Sequence, residues 1–263
     1  MKELIGVFTD LGVSETIAVA YLVVSALVVI MALAALVMWI VVAVRYYGTN
    51  RKTLNSGVNS FDLAREMLHK AGLYDVEVKR AGFIRAWVYG NYYDMKKKTV
   101  FIRGKIADKN TVTAVGLALQ KVGVAKLCES GDAKAITRYK LKKLGVFGPL
   151  LFIPIILLGA VLDVMVLRSG GSTMSAITLI GGIVLLGAGL VETLLTIPVE
   201  KQANAMALEM IDSTGVMDEE ERKNIKKVLD TYIIAYVLDF IVTVLRVIQL
   251  ILEIVMRSQI RRK

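Results

Sequence analysis

One uncharged stretch near the N-terminus restricts the possible folds of this chain more than any other feature. Residues 16–44 read TIAVAYLVVSALVVIMALAALVMWIVVAV and contain no Asp, Glu, Lys or Arg. About 20 apolar residues suffice for a helix to cross a bilayer. The stretch is longer than the apolar part of a signal peptide, and no small-residue cleavage site precedes Arg45. We therefore predict a permanent transmembrane helix over 16–44, preceded by a short N-terminal segment, 1–15.

Further apolar segments indicate a multi-pass membrane protein. Hydrophobic residues make up 56% of the chain, and the mean hydropathy is +0.60, which is high for a soluble domain. Segments 145–167 and 174–198 predict transmembrane helices 2 and 3, joined as a hairpin. A helical connector, 199–229, leads to an amphipathic fourth segment, 230–257, and a basic tail, 258–263. Within the connector, Asp218 and Glu221 have the spacing of a capping box.

The polar insert, residues 45–144, has the size of a small domain. Helical spacing follows residue 60 and returns over 110–127, while VEVK, RAWVYG and KTVFIRG alternate apolar and polar residues as strands do. The predicted fold class is therefore an α-helical membrane protein with a small α+β cytoplasmic domain inserted between the first and second transmembrane helices.

The charge distribution predicts the orientation. The insert contains 21 Lys and Arg residues against 8 Asp and Glu residues. Basic residues close to the ends of membrane helices favour the cytoplasmic side. We expect an integral, multi-pass protein of the cell membrane, with the insert in the cytoplasm and the N-terminus outside.

The last apolar segment carries polar residues at steps of three or four, which place them on one face of a helix. A transmembrane helix that packs on its neighbours, a helix lying on the membrane surface and the lining of a polar pathway are three interpretations. We favour the first. The face is the predicted contact with a second copy or another membrane protein, through Asp239, Arg246, Gln249 and Glu253.

Exposed basic residues predict contact with membrane lipids. Clusters of Lys and Arg beside a membrane bind anionic headgroups. No RNA-binding signature accompanies them, so we expect no nucleic-acid partner. The predicted headgroup contacts are Lys79, Arg80, Lys96, Lys97, Lys98, Lys140, Lys142 and Lys143.

The chain contains one histidine, His69, and one cysteine, Cys128. It therefore cannot supply two histidines to one metal or form an internal disulfide. We expect His69 to be a surface residue and Cys128 a buried small one. We expect no cofactor.

Four segments carry a family resemblance. They are SGVNSFDLAREMLHKAGLYDVEV at 56–78, YGNYYDMKKKTVFI at 89–102, AVGLALQKVGVAKL at 114–127 and LLTIPVEKQANAMAL at 194–208. Their order and spacing resemble those of the small membrane-embedded neutral zinc metallopeptidases, which carry an HExxH helix. The resemblance covers most of the chain, and it implies that Glu200 stands at the family's third zinc-ligand position.

The resemblance also implies what has changed. Gln120 and Val124 stand where the family has its two histidines, and Lys121 stands where it has the catalytic glutamate. On this basis we predict no catalytic residues, no metal and no enzyme activity. The chain would be a pseudopeptidase that serves as a binding, scaffold or regulatory subunit of a membrane protein complex.

Two alternatives for the altered position remain open. Lys121 and Glu200 form an ion pair in place of the metal, or Lys121 extends to solvent while Glu200 caps a helix. Two alternative functions also remain. One is a hydrolase with a different metal chemistry built on carboxylates. The other is a subunit of a membrane transport complex.

Overall fold

The protein is predominantly helical, with one small sheet. A computed structural model describes residues 2–165 and 173–260. Most of the loop between the predicted hairpin helices and the end of the basic tail lie outside these residues. In chain order the elements are α1 (Lys2–Asp10), α2 (Glu15–Thr49), α3 (Ser60–Lys70), β1 (Glu77–Ala81), α4 (Phe83–Tyr89), β2 (Tyr92–Asp94), β3 (Thr99–Arg103), α5 (Val112–Glu129), α6 (Ala133–Met165), α7 (Thr173–Thr214) and α8 (Glu219–Ile260).

Within the described residues, three helices are long and apolar enough to cross a membrane. They are Glu15–Thr49, Ile177–Thr214 and Glu219–Ile260, and they confirm the prediction of a helical membrane protein. The predicted helix 145–167 falls almost entirely within α6. The number of crossings, the orientation and the place of the insert between the first two membrane helices stay predictions.

The chain divides into two compact units. The first combines Met1–Ile40 with Ala235–Lys263, and the second is Val41–Ile234. The second unit holds the α+β elements together with α6, α7 and the beginning of α8. Its core contains residues from α3, the sheet, α5, α7 and α8.

The sheet has three strands in the order β1-β3-β2. β1 runs parallel to β3 with Val78 opposite Val100, and β2 runs antiparallel to β3 with Tyr93 opposite Val100. Val100 and Ile102 are fully buried, because alternate residues of a strand point to the same face. The strands predicted from VEVK and KTVFIRG are confirmed.

The strand predicted over RAWVYG is wrong, because this segment forms α4. The amide of Ala86 donates to the carbonyl of Gly82, and Gly90 ends the helix at a φ of +67°. A six-residue alternation of apolar and polar residues also fits one and a half helical turns, so periodicity alone does not separate the two structures. The second strand of the sheet lies further along, at Tyr92–Asp94.

α5 lies at the centre of the second unit and is buried on all sides from Val112 to Ala125. Its glycines permit close helix packing. A Cβ on Gly123 would lie 2.9 Å from the carbonyl oxygen of Ala203 on α7, which is closer than packed atoms tolerate.

Two backbone features shape α7 and α8. α7 contains Pro198 in its interior, where the proline has no amide proton to donate.

α8 begins with the predicted capping box, which is confirmed. The amide of Glu221 donates to Asp218 Oδ1 at 2.8 Å, and the amide of Asp218 donates to Glu221 Oε2 at 3.0 Å.

The close contact at Gly123 yields a stability prediction. We expect Gly123→Ala to lower the free energy of unfolding by about 1–3 kcal/mol, because the backbone of α7 must move. Gly48→Ala is the control, since a Cβ there meets nothing within 4 Å. Denaturant unfolding of the detergent-purified protein measures both. Equal stability of the two variants would contradict the packing described here.

Candidate functional site

Four buried polar side chains meet where α5 crosses α7. Gln120 and Lys121 come from α5, and Glu200 and Asn204 come from α7. Lys121 Nζ lies 2.9 Å from Glu200 Oε1 and 3.0 Å from Oε2. Gln120 Nε2 donates to Glu200 Oε2 at 2.8 Å and to Asn204 Oδ1 at 2.6 Å. Of the two alternatives for Lys121, the structure has the ion pair.

A third helix, α6, adds a second cation. Arg138 Nη2 donates to Glu200 Oε1 at 2.6 Å, and Arg138 Nε donates to Thr196 Oγ1 at 3.0 Å. Glu192 lies further from the same guanidinium, at 3.9 Å from Nε. Glu200 therefore joins α5, α6 and α7, and we call Gln120, Lys121, Arg138, Glu200 and Asn204 the Glu200 cluster.

Local structure explains why these side chains meet. Glu192, Thr196, Glu200 and Asn204 recur at steps of four, which places them on one face of α7. Thr111 caps the start of α5 by accepting a hydrogen bond from the amide of Ala114. The cap and the all-round burial of α5 together hold its polar residues against that face.

Burial and charge oppose each other in the cluster. Burial lowers the pKa of Lys121, and the neighbouring Glu200 offsets only part of that effect. Two cations and an amide surround the carboxylate of Glu200, an arrangement that favours its ionised form. The cluster is therefore stabilised by mutual pairing rather than by solvent.

Lys142 lies beside this cluster on α6. Its ammonium group is 5.2 Å from the centre of the Tyr89 ring and 4.9 Å from that of Tyr92, within the range of cation–π attraction. Burial, followed by the charges of Arg138 and Lys121, lowers the pKa of Lys142 to about 7.

The other predicted positions have different surroundings. Val124 is buried on α5. In the first unit, Asp239 accepts a hydrogen bond from Trp39 Nε1 at 3.1 Å, and Gln249 donates to Ser25 Oγ at 3.0 Å. Both therefore contact α2 of the same chain, while Arg246 is exposed and Glu253 is half-buried. Their role in contacts with a partner stays a prediction.

The predicted headgroup residues also differ. Lys98 is paired with Glu129 and lies 3.5 Å from Asp75, and Lys79 is paired with Glu77. Lys142 is half-buried against aromatic rings. The remaining five are exposed: Arg80, Lys96, Lys97, Lys140 and Lys143.

Sequence reasoning missed Arg138, Asn204, Thr196 and Glu192. The steps of four along α7 would have indicated three of them. No local pattern marks Arg138, whose role depends on how α6 packs against α7. Cys128 is buried as expected, and burial raises the pKa of its thiol to about 11.

The residues of the cluster do not fit a zinc ion. Zinc is held by thiolates, imidazoles and carboxylates. Only Glu200 offers such a donor, and its oxygens accept hydrogen bonds from Gln120, Lys121 and Arg138. Within residues 2–165 and 173–260, no three His, Cys, Asp or Glu residues are grouped to hold a metal. No chemical step at this cluster is therefore assigned to a metal.

The Glu200 cluster predicts that its carboxylate and its cations contribute unequally to stability. We expect Glu200→Gln to lower the free energy of unfolding by about 3–5 kcal/mol, because Lys121 loses its carboxylate and Arg138 loses the closer of its two carboxylates, with Glu192 3.9 Å away. Lys121→Met should cost less, since Arg138 still neutralises Glu200. Denaturant unfolding measures both, with the exposed Lys126→Met on the same helix as a control. A larger loss from Lys121→Met would contradict this account.

Lys142 yields a pH prediction. Its pKa of about 7 lies below the ordinary 10.5, so between these values the folded state binds fewer protons than the unfolded state. Stability then rises with pH. We expect the melting temperature to rise between pH 7 and 8, where the Cys128 thiol is still mostly protonated in the folded and the unfolded state, and Lys142→Met to reduce that rise. An unchanged slope in the variant would contradict the assignment.

Comparisons with known proteins agree on one family. A family model described as "Putative neutral zinc metallopeptidase" matches residues 21–255. The "Putative membrane protease YugP" of Bacillus subtilis (strain 168) is 26% identical over 203 residues, which is 75% of this chain and 81% of that protein. No solved structure gives a significant match.

These comparisons correct one prediction. The expectation that the chain is not an enzyme is contradicted, because the matching family and the relative are both described as peptidases. Neither the carboxylate-metal hydrolase nor the transport subunit gains support from them. The family match extends from within α2 to within α8 and includes all four resembling segments. The chain belongs to the neutral zinc metallopeptidase family.

Proposed function

We propose that this family member binds an extended segment of another membrane protein and holds it within a membrane complex. The observation that carries the proposal is the Glu200 cluster. Its carboxylate, on α7, accepts hydrogen bonds from side chains of α5 and α6, so the three helices are joined at one buried point. This connection fixes the positions of the three helices relative to one another, and the second unit thus offers a partner a rigid binding surface.

The sheet supplies the binding edge in this proposal. β2 is at the end of the strand order and pairs only with β3 among the described residues. An unpaired edge accepts an extended chain through backbone hydrogen bonds. β2 also contacts α5, the helix that carries Gln120 and Lys121. A polypeptide on this edge would therefore lie beside the helix that corresponds to the family's metal-binding helix.

The type of ligand follows from the family. The relative is named a membrane protease, and a protease acts on polypeptides. We extend that ligand class to this chain, with membrane proteins as partners. Gln120 and Lys121 would then keep α5 in position beside the bound segment.

The remaining parts of the proposal concern the membrane. The protein crosses it several times, with the basic α+β elements in the cytoplasm, as the distribution of Lys and Arg favours. The exposed Arg246 of α8 belongs to a surface for self-association or partner contact, and the exposed basic residues of the second unit bind anionic headgroups.

Site-specific photo-crosslinking in cell membranes tests the binding edge. A photoreactive residue replaces Lys96, which is exposed directly after β2, and in a separate variant it replaces Tyr74, which is 75% exposed before β1. We expect one discrete membrane-protein adduct at Lys96 and none at Tyr74. The length of the captured protein also reports whether the bound segment is cut.

Two outcomes would contradict the proposal. Equal crosslinking at both positions would indicate random collision, and the absence of an adduct at Lys96 would exclude a partner on the β2 edge. A Glu200→Gln variant tests whether the Glu200 cluster is needed for binding. If the cluster fixes α5 beside the β2 edge, the adduct at Lys96 should decrease in that variant.

A further inference from the structure

α4 exposes large apolar side chains to an unusual degree. Phe83 is 88% exposed, Ile84 is 75% exposed and Trp87 is 79% exposed. Residues three or four positions apart lie on the same side of a helix, so the three form one surface, which we call the α4 apolar face. Exposed apolar surfaces of this kind mark sites where a protein or a membrane binds.

The opposite side of α4 is fixed to the second unit. Arg103 Nε on β3 donates to the carbonyl of Ala86 at 3.1 Å, and the ring of Tyr89 lies against the ammonium group of Lys142 on α6. Ala86 and Tyr89 are partly buried, whereas the apolar face is not. α4 therefore presents its apolar face from a rigid support.

Two contacts relate α4 and its support to the ends of the apolar segments. Lys142, against which Tyr89 packs, precedes the apolar segment that begins at residue 145 by less than one turn. Lys105, which directly follows β3, contacts Tyr47 at 3.4 Å between Nζ and the hydroxyl oxygen. Tyr47 follows the uncharged stretch 16–44 by less than one turn. Both contacts therefore lie within one helical turn of an end of an apolar segment.

The charges around the α4 apolar face are positive. Arg80 at the end of β1 and Lys105 after β3 are exposed, while Arg85, four residues before Tyr89, lies on the supported side of α4. A short helix that combines Trp and Phe with adjacent Arg and Lys matches the interface of an anionic bilayer, where aromatic rings enter the headgroup region and cations meet phosphate.

We propose that α4 is an interfacial anchor, with Phe83, Ile84 and Trp87 inserted into the headgroup region of an anionic bilayer and the exposed Arg80 and Lys105 as the nearby cations at the phosphates. The anchor fixes the α+β elements against the membrane surface. It is independent of the binding function proposed above, because it uses α4 and not the β2 edge.

Tryptophan fluorescence tests the anchor in the full-length protein. The chain has two tryptophans, so Trp39→Phe leaves Trp87 as the only reporter. The variant is reconstituted, one chain per nanodisc, with bilayers of phosphatidylglycerol and phosphatidylcholine. We expect lipids brominated near the headgroup to quench Trp87 at least twofold and aqueous acrylamide to quench it weakly.

The matched control moves the reporter to a position of similar exposure. In the variant Trp39→Phe, Trp87→Phe, Tyr74→Trp, the reporter replaces a side chain that is 75% exposed and lies outside α4. We expect strong quenching by acrylamide and little by brominated lipid. If acrylamide quenches Trp87 as strongly as it quenches the reporter at position 74, and brominated lipid quenches both weakly, α4 faces water. That result would overturn the proposal.

Spin labelling gives a second measurement that keeps both tryptophans. Cys128 is 4% exposed, so a nitroxide reagent should label an introduced cysteine selectively. We expect a label at Ile84→Cys to be more accessible to oxygen than to a nickel complex, and a label at Tyr74→Cys to show the reverse. Preference for the nickel complex at both positions would exclude a lipid-inserted α4.

The contribution of charge is measured in the same bilayers. We expect Arg80→Glu to reduce the quenching of Trp87 by brominated lipid in bilayers that contain phosphatidylglycerol, whereas Lys126→Glu, on the buried helix α5 but with an exposed side chain, should not. Equal effects of the two variants would overturn the assignment of Arg80 to the phosphates.

Discussion

The second unit depends on one buried carboxylate. Glu200 on α7 is 1% exposed and accepts hydrogen bonds from side chains on two further helices, α5 and α6. A buried charge without partners is costly, and the loss of one partner exposes the remaining charges to that cost. Lys121, Arg138 and Glu200 are therefore energetically coupled, because the substitution of one removes a partner from the buried charge of another. The packing of α5 against α7 at Gly123 brings these side chains within hydrogen-bonding distance.

The membrane helices and parts of the domain could be predicted from the sequence. Long uncharged runs determine helices in a bilayer, and the Asp218–Glu221 cap depends only on spacing within four residues. The pair between Lys121 and Glu200 was one of two alternatives, and it followed from aligning two segments with a family pattern. Each of these features has a signal that is local or comes from known relatives.

The errors have a physical cause as well. RAWVYG alternates like a strand, yet Gly82 and Gly90 allow a short helix whose apolar residues are exposed. A buried apolar face normally distinguishes the period of two of a strand from the period of 3.6 of a helix. The large apolar side chains of α4 are exposed, so they give no such indication. Arg138 was missed because its partner Glu200 lies 62 positions away. The prediction that the chain is not an enzyme is wrong for a different reason, because the changed residues at positions 120, 121 and 124 do not by themselves show that a family member has no activity.

The proline inside α7 has a mechanical consequence. Pro198 cannot donate a hydrogen bond to the carbonyl of Leu194, so this turn of the 42-residue helix lacks a backbone hydrogen bond and bends more easily. Thr196 lies within the turn and Glu200 follows it by two residues, so the turn adjoins the cluster that joins three helices. If the apolar half of α7 tilts with a change in bilayer thickness, the bending strain concentrates at that cluster. The junction thus lies where a force from the lipid would have its greatest effect on the attached elements.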